Sequence, residues 1–200
     1  MSITPHQRRQ FVRLDWWLRV LLVTVITCGC SSSVSANSTD TTTVYRLLLL
    51  IRDRLEVAPE VARTKWNTKA PIEDLPREKL IIYKVIKGAT NDGLEPKLAE
   101  IFLTGQIEAS KIVQKELHAE WAAKRQPPFP SVADLGRDIR PVLDRLTPAM
   151  MRQLAQALPI LRRPGGRQLL DLQVKTVLGH SPWSEKATQA AVAPLLKLSR

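Results

Sequence analysis

Cysteine, glycine and aromatic residues are all scarce in this 200-residue chain, which holds two Cys, eight Gly and an aromatic share of 5%. Both cysteines, Cys28 and Cys30, fall within the first 36 residues, so the rest of the chain has neither a disulfide nor a cysteine-based metal site. His6, His118 and His180 are too scattered to suggest a metal centre. Runs of alternating β-branched residues, which strands need, are nearly absent. What the sequence does have is apolar residues recurring at three- and four-residue spacing over long stretches. With the length of one domain, this predicts an all-α fold, a single helical bundle built around a long central helix.

The first 36 residues differ from the remainder. Arg8, Arg9, Arg13 and Arg19 precede an apolar run over residues 20–26, and small residues follow, ending Val34-Ser35-Ala36. A basic start, a short apolar centre and small residues at the −3 and −1 positions of a cut after Ala36 predict a cleaved secretory signal over residues 1–36. The apolar run is short for a membrane span, so no stable membrane association is expected after cleavage. Export to the periplasm or the exterior follows, with a lipoprotein anchored through Cys28 or Cys30 as the lesser alternative. Arg8-Arg9 also loosely resembles a twin-arginine signal. The leader carries four Arg and one Asp; taking its net +3 from the whole chain's +11 leaves +8. The mature chain therefore stays basic, although export weighs against a nucleic-acid partner.

Residues 37–43 are rich in Ser, Thr and Asp and predict a solvated tail. A helix is expected over residues 44–68, kinked or divided by Pro59. Asp74 is placed to cap a second helix ending near residues 91–93, and Pro96 opens the longest segment, to about residue 124. After the proline-rich loop at residues 126–130 come shorter helices: one through Arg140, one from Thr147-Pro148 and one from Ser181-Pro182. Residues 162–167 read as a basic loop. The core domain is expected over residues 44–145, with residues 146–200 packed on it.

Three side-chain pairs invite a functional interpretation. Arg54 and Lys65 are eleven residues apart, which returns a helix to within roughly 20° of its starting face. Asp74 and Arg77 form an i,i+3 pair at a helix start, and Ser110 and Gln114 an i,i+4 pair within the long helix. Each pair alone is more often a solvated face or a cap than a site.

Taken in order, the residues say more. Arg54-Leu55-Glu56-Val57-Ala58, Lys65-Trp66, Pro71-Ile72-Glu73-Asp74 and Arg77-Glu78 resemble the amino-terminal pattern of exported AroQ-type chorismate mutases. The resemblance continues through Gln106-Ile107, Ser110, Gln114, Trp121 and Asp134-Leu135 to Arg140, covering about residues 47–144. It implies an isomerase that converts the dianion chorismate to prephenate by an intramolecular rearrangement, with no cofactor and no metal. Arg54, Arg77 and Arg140 would hold the two carboxylates, as guanidinium forks suit. Lys65 and Gln114 would donate to the ether oxygen as its bond breaks, and Asp74 and Ser110 would meet the substrate hydroxyl and a carboxylate.

Some positions stay open. Ile81 stands where some relatives carry a glutamine that touches substrate. Arg137 competes with Arg140, because a proline loop separates both from the helical core. Trp66 and Trp121 are expected to be core anchors, and His118 and His180 surface or capping residues. The sequence admits a homodimer without naming its interface. The rival function is a non-catalytic basic helical module that binds polyanions or a membrane surface.

Overall fold

The computed structural model describes residues 38–200, so the expected leader lies outside the described residues. Seven helices follow one another: α1 Ser38–Glu56, α2 Ala58–Thr68, α3 Leu75–Gly88, α4 Pro96–Ala123, α5 Arg140–Leu161, α6 Gly166–Leu178 and α7 Glu185–Leu198. A single π turn, Leu135–Ile139, leads into α5. The described residues contain no strand.

The all-α expectation holds, with α4 as the central element. Its inward residues Leu98, Ala99, Phe102, Leu103, Ile107, Ala109 and Val113 are buried. This helix packs against α1, α2, α3 and α7, while α1 packs against α4, α5 and α6. One continuous apolar core results, in which Leu47, Leu48 and Ile51 of α1 meet Met150, Leu154 and Leu161 of α5. Burying each such side chain contributes roughly 1.5–3 kcal/mol, so apolar packing holds this fold, as a domain without disulfides requires. Gly105 permits the close approach of α4 and α7: a Cβ there would lie 2.8 Å from Pro194 Cγ.

Local expectations fare unevenly. Pro59 does divide the first helical stretch, since α1 ends at Glu56 and Pro59 occupies the first turn of α2. Residues 38–43 do not form a tail, because α1 already begins at Ser38. The hydroxyls of Thr42 and Thr43 donate to the carbonyls of Ser38 and Thr39, so these polar side chains are satisfied within the helix. Arg163 pairs with Asp40 at 2.7 Å and Gln153 donates to the Thr43 carbonyl, tying that turn down.

Thr147-Pro148 does not start a helix either. Pro148 sits inside α5, and the Thr147 hydroxyl donates back to the Leu143 carbonyl at 2.8 Å. A missing N–H costs one rung of the ladder, which the apolar face of α5 offsets. Ser181-Pro182 likewise yields to Ser184, whose Oγ accepts from Ala187 N to cap α7 and also donates to Glu116.

Candidate active site

The break after α1 changes how the first cation pair works. Arg54 and Lys65 lie on two helices rather than one, yet both turn inward and are only 5% and 7% exposed. Asp74 caps α3: its Oδ1 accepts from Arg77 N, and Glu78 Oε1 accepts from Asp74 N. This reciprocal cap sets the rotation of α3, so that Asp74, Arg77, Glu78 and Ile81 line a common face. Ser110 and Gln114 come from the middle of α4, where Gln114 Nε2 donates to Ser110 Oγ at 3.1 Å.

Arg140 reaches the same place by a longer route. The Thr64 hydroxyl of α2 donates to the Ala133 carbonyl at 2.7 Å. Asn67 exchanges hydrogen bonds with the Phe129 backbone at 2.8 and 2.9 Å. Beneath these, Trp66, His118, Trp121 and Phe129 form an aromatic cluster with ring centroids 4.9–5.7 Å apart. His118 also reaches the Ala62 carbonyl at 2.9 Å. Both tryptophans thus brace α2 and the proline loop on α4, and the loop delivers the start of α5 to the pocket.

All seven expected residues, Arg54, Lys65, Asp74, Arg77, Ser110, Gln114 and Arg140, line one cleft, part of it open to solvent. Arg137 is not among the lining residues: its side chain is 80% exposed and bonds twice to Asp138. Ile81 does line the cleft, contributing an apolar wall where an amide would have offered a contact.

Two charged lining residues, Glu78 and Lys111, are given no role by the sequence. Glu78 stands there only as part of a motif, and Lys111 stands outside it. They pair at 3.2 Å, and Lys111 also bonds Glu108 at 2.6 Å. The signal for Lys111 is its spacing, since Ile107, Ser110, Lys111 and Gln114 follow one helical face. A lysine on the inward face of an otherwise apolar helix has to be paired or functional.

The cleft is an anion receptor by composition, with five cations, Arg54, Lys65, Arg77, Lys111 and Arg140, against the carboxylates of Asp74 and Glu78. Several of these charges already engage one another. Arg140 Nη2 meets Asp74 Oδ2 at 3.0 Å, and Arg77 Nη2 meets Asp144 Oδ1. Lys65 Nζ donates to the Ile72 carbonyl at 2.6 Å.

Arg54 differs from the others: its Nε and Nη1 are buried and have no hydrogen-bond partner, and the same is true of Oε1 of Gln114. Burial pushes Arg54 down to about 10, with the charge of Asp144 acting the other way. Burial also lowers Lys65, against the pull of Asp74, Glu78 and Glu73 and with the help of Arg140. For Lys111 burial is outweighed by hydrogen bonds to Glu108 and Glu78, and its pKa rises. A buried guanidinium with idle donors costs stability unless an anion arrives to use them.

Comparison with known proteins gives this receptor a family. The profile described as chorismate mutase type II matches residues 45–115. A monofunctional chorismate mutase of Enterobacter agglomerans is 31% identical over 127 residues, 64% of this chain and 69% of the relative. A secreted chorismate mutase of Mycolicibacterium smegmatis is 28% identical over 159 residues, 78% of this chain and 87% of that protein. The crystal structure of a chorismate mutase from Burkholderia thailandensis superposes with a TM-score of 0.72 at 32% identity, covering 77% of this chain and 99% of that one. By sequence and by fold alike, the chain belongs to the chorismate mutase type II family.

Proposed function

We propose that this protein is a chorismate mutase that converts chorismate to prephenate by a concerted intramolecular rearrangement, held and stabilised by the cleft between α1, α2, α3, α4 and the start of α5. The observation that carries this reading is Arg54: a buried guanidinium with two idle donors, in a cleft that also holds Lys65, Arg77, Arg140 and Gln114.

The reaction breaks the ether C–O bond as a C–C bond forms, and needs no nucleophile and no general acid or base. The protein has two tasks: to hold the compact conformer and to stabilise negative charge growing on the ether oxygen. Arg54, Arg77 and Arg140 take the two carboxylates. Arg140 exchanges its contact with Asp74 for the substrate, which frees Asp74 for the substrate hydroxyl beside Glu78.

Lys65 and Gln114 serve the ether oxygen. Lys65 spends one of its three N–H donors on the Ile72 carbonyl and keeps two. If the Gln114 amide is turned end for end, the Ser110 hydroxyl donates to Oε1 and Nε2 is released toward the cleft. Ser110 then holds the amide in the donating sense.

Gln114 donates without a titrating proton, so kcat/KM stays flat from about pH 5 to 8. It falls on the alkaline side, where Lys65, lowered by burial, loses its charge earlier than an ordinary lysine does. A steep loss of turnover between pH 5 and 8, with the fold intact by circular dichroism, would overturn the role of Gln114.

The first test is to incubate the purified protein with chorismate, without added metal or cofactor, and to follow prephenate by chromatography. Failure to form prephenate rejects the reading. The basic-module alternative rests on net charge, and it is disfavoured because the most buried cations point into the cleft rather than outward.

The enzyme acts outside the cytoplasm. Relatives named secreted chorismate mutase, from Mycolicibacterium smegmatis, Yersinia pestis and Mycobacterium tuberculosis, support export. The basic, apolar and small-residue order of residues 1–36 supplies the signal. A periplasmic or secreted enzyme, rather than a lipoprotein, follows from Val34-Ser35-Ala36, whose small residues suit a cut after Ala36.

A further inference from the structure

Asp144 is not a lining residue of the cleft, yet it pairs with one that is. It lies one turn after Arg140 on α5, and its Oδ1 accepts from Nη2 of Arg77 on α3. In the opposite sense, Arg140 of α5 donates to Asp74 of α3 at 3.0 Å. Two ion pairs of reversed polarity thus clasp the starts of α3 and α5 across the mouth. They are not equivalent, because Asp74 faces the cleft and Asp144 does not.

Arg77 shares the cleft with four other cations. Like charges at such spacing repel, and an unheld guanidinium on a long side chain would turn outward. Asp144 prevents this by engaging one N–H of Nη2 from outside, and the edge of the guanidinium that carries the second Nη2 N–H is left to fork onto a carboxylate. The charge of Asp144 also acts on Arg54, the buried guanidinium of α1, in the direction that keeps it protonated.

We infer that Asp144 is a positioning residue of the anion site: without touching substrate, it holds the Arg77 guanidinium in the cleft in the orientation that receives a substrate carboxylate. This rests on the function proposed above, but it makes its own prediction about binding.

The experiment compares the unsubstituted full-length protein with Asp144→Asn, Asp144→Ala and Asp144→Glu. It measures prephenate binding by calorimetry, the kcat and KM for chorismate, and thermal unfolding. Asn and Ala are expected to weaken prephenate binding and raise KM by about five- to tenfold, with kcat within about twofold. Glu, which restores the carboxylate, is expected to recover most of the affinity. A purely structural role would instead lower the unfolding temperature and kcat together and leave affinity unchanged.

Prephenate affinity within twofold of the parent in both Asn and Ala variants overturns the inference, as does an Asp144→Glu variant no better than Ala. Should the parent bind prephenate but make none from chorismate, the functional reading falls, while the ratio of affinities still decides the role of Asp144.

Discussion

Residues 74–78 read Asp-Leu-Pro-Arg-Glu and residues 134–138 read Asp-Leu-Gly-Arg-Asp, and the two segments begin in the same way. Each aspartate accepts from the backbone N–H three residues on, at 3.3 Å in the first and 2.6 Å in the second. Each acid four residues on accepts in turn from the capping residue's own N–H, at 3.2 and 2.9 Å. The arginines then part company. Arg77 faces the cleft with 21% of its side chain exposed, whereas Arg137 lies in solvent with 80% exposed.

The helix that follows explains the difference. After Asp74 the chain is α-helical, and cleft residues fall at Asp74, Arg77, Glu78 and Ile81, the three- and four-residue steps of that helix. After Asp134 both Asp138 N and Ile139 N donate to the Asp134 carbonyl, a wider turn. Cleft residues now fall at Leu135, Ile139, Arg140 and Leu143. The wider turn carries Arg137 past the cleft and brings Arg140 into its place. A capping motif fixes the backbone at its own level, but the winding after it decides which cation arrives.

The largest effect that would break this contrast is the paired substitution of the two motif arginines. Arg77→Ala should lower kcat/KM by about 10²–10³-fold, the scale for removing a preorganised donor from an active site. Arg137→Ala should leave it within about twofold. Steady-state kinetics on both variants checks this, and a comparable loss in the two would mean that the second segment also offers its motif arginine to the substrate.

Arg140→Ala comes next, with an expected loss of about ten- to a hundredfold. Its side chain is 42% exposed and bound to Asp74, so solvent and a retained carboxylate soften the loss. The Arg137→Ala, Arg140→Ala double variant should match the single Arg140 variant. A further tenfold drop would show Arg137 substituting for its neighbour.

This contrast also marks where the sequence stops being legible. Helical periodicity reports burial, and the buried faces of α1, α4 and α5 follow it directly. The ordered residues from Arg54 to Arg140 are legible as a family pattern, and they do meet in one cleft. Winding between them is not: neither the π turn before Arg140 nor the passage of α5 through Pro148 leaves a period of its own. Polar residues 38–43 mislead because Thr hydroxyls can satisfy themselves on helix carbonyls, which composition does not reveal. Lys111 stands in the open at the spacing of Ser110 and Gln114, but a lone lysine becomes informative only once its neighbours are known to be buried.

The smallest expected effect concerns the caps themselves. Asparagine caps a helix about as well as aspartate, so Asp74→Asn and Asp134→Asn should each leave stability within a few tenths of a kcal/mol, whereas Ala at either position should cost about 1 kcal/mol. For a chain of this size that is a fall of roughly 2–4 °C in unfolding temperature, measurable by calorimetry. Activity should separate what stability does not. Asp134→Asn should be silent in kinetics, since Asp134 only caps. Asp74→Asn should lose activity at unchanged stability, because Asp74 also faces the cleft and carries the charge that Arg140 meets. Equal activity in the two asparagine variants would reduce Asp74 to a cap and make the two segments alike in all but their winding.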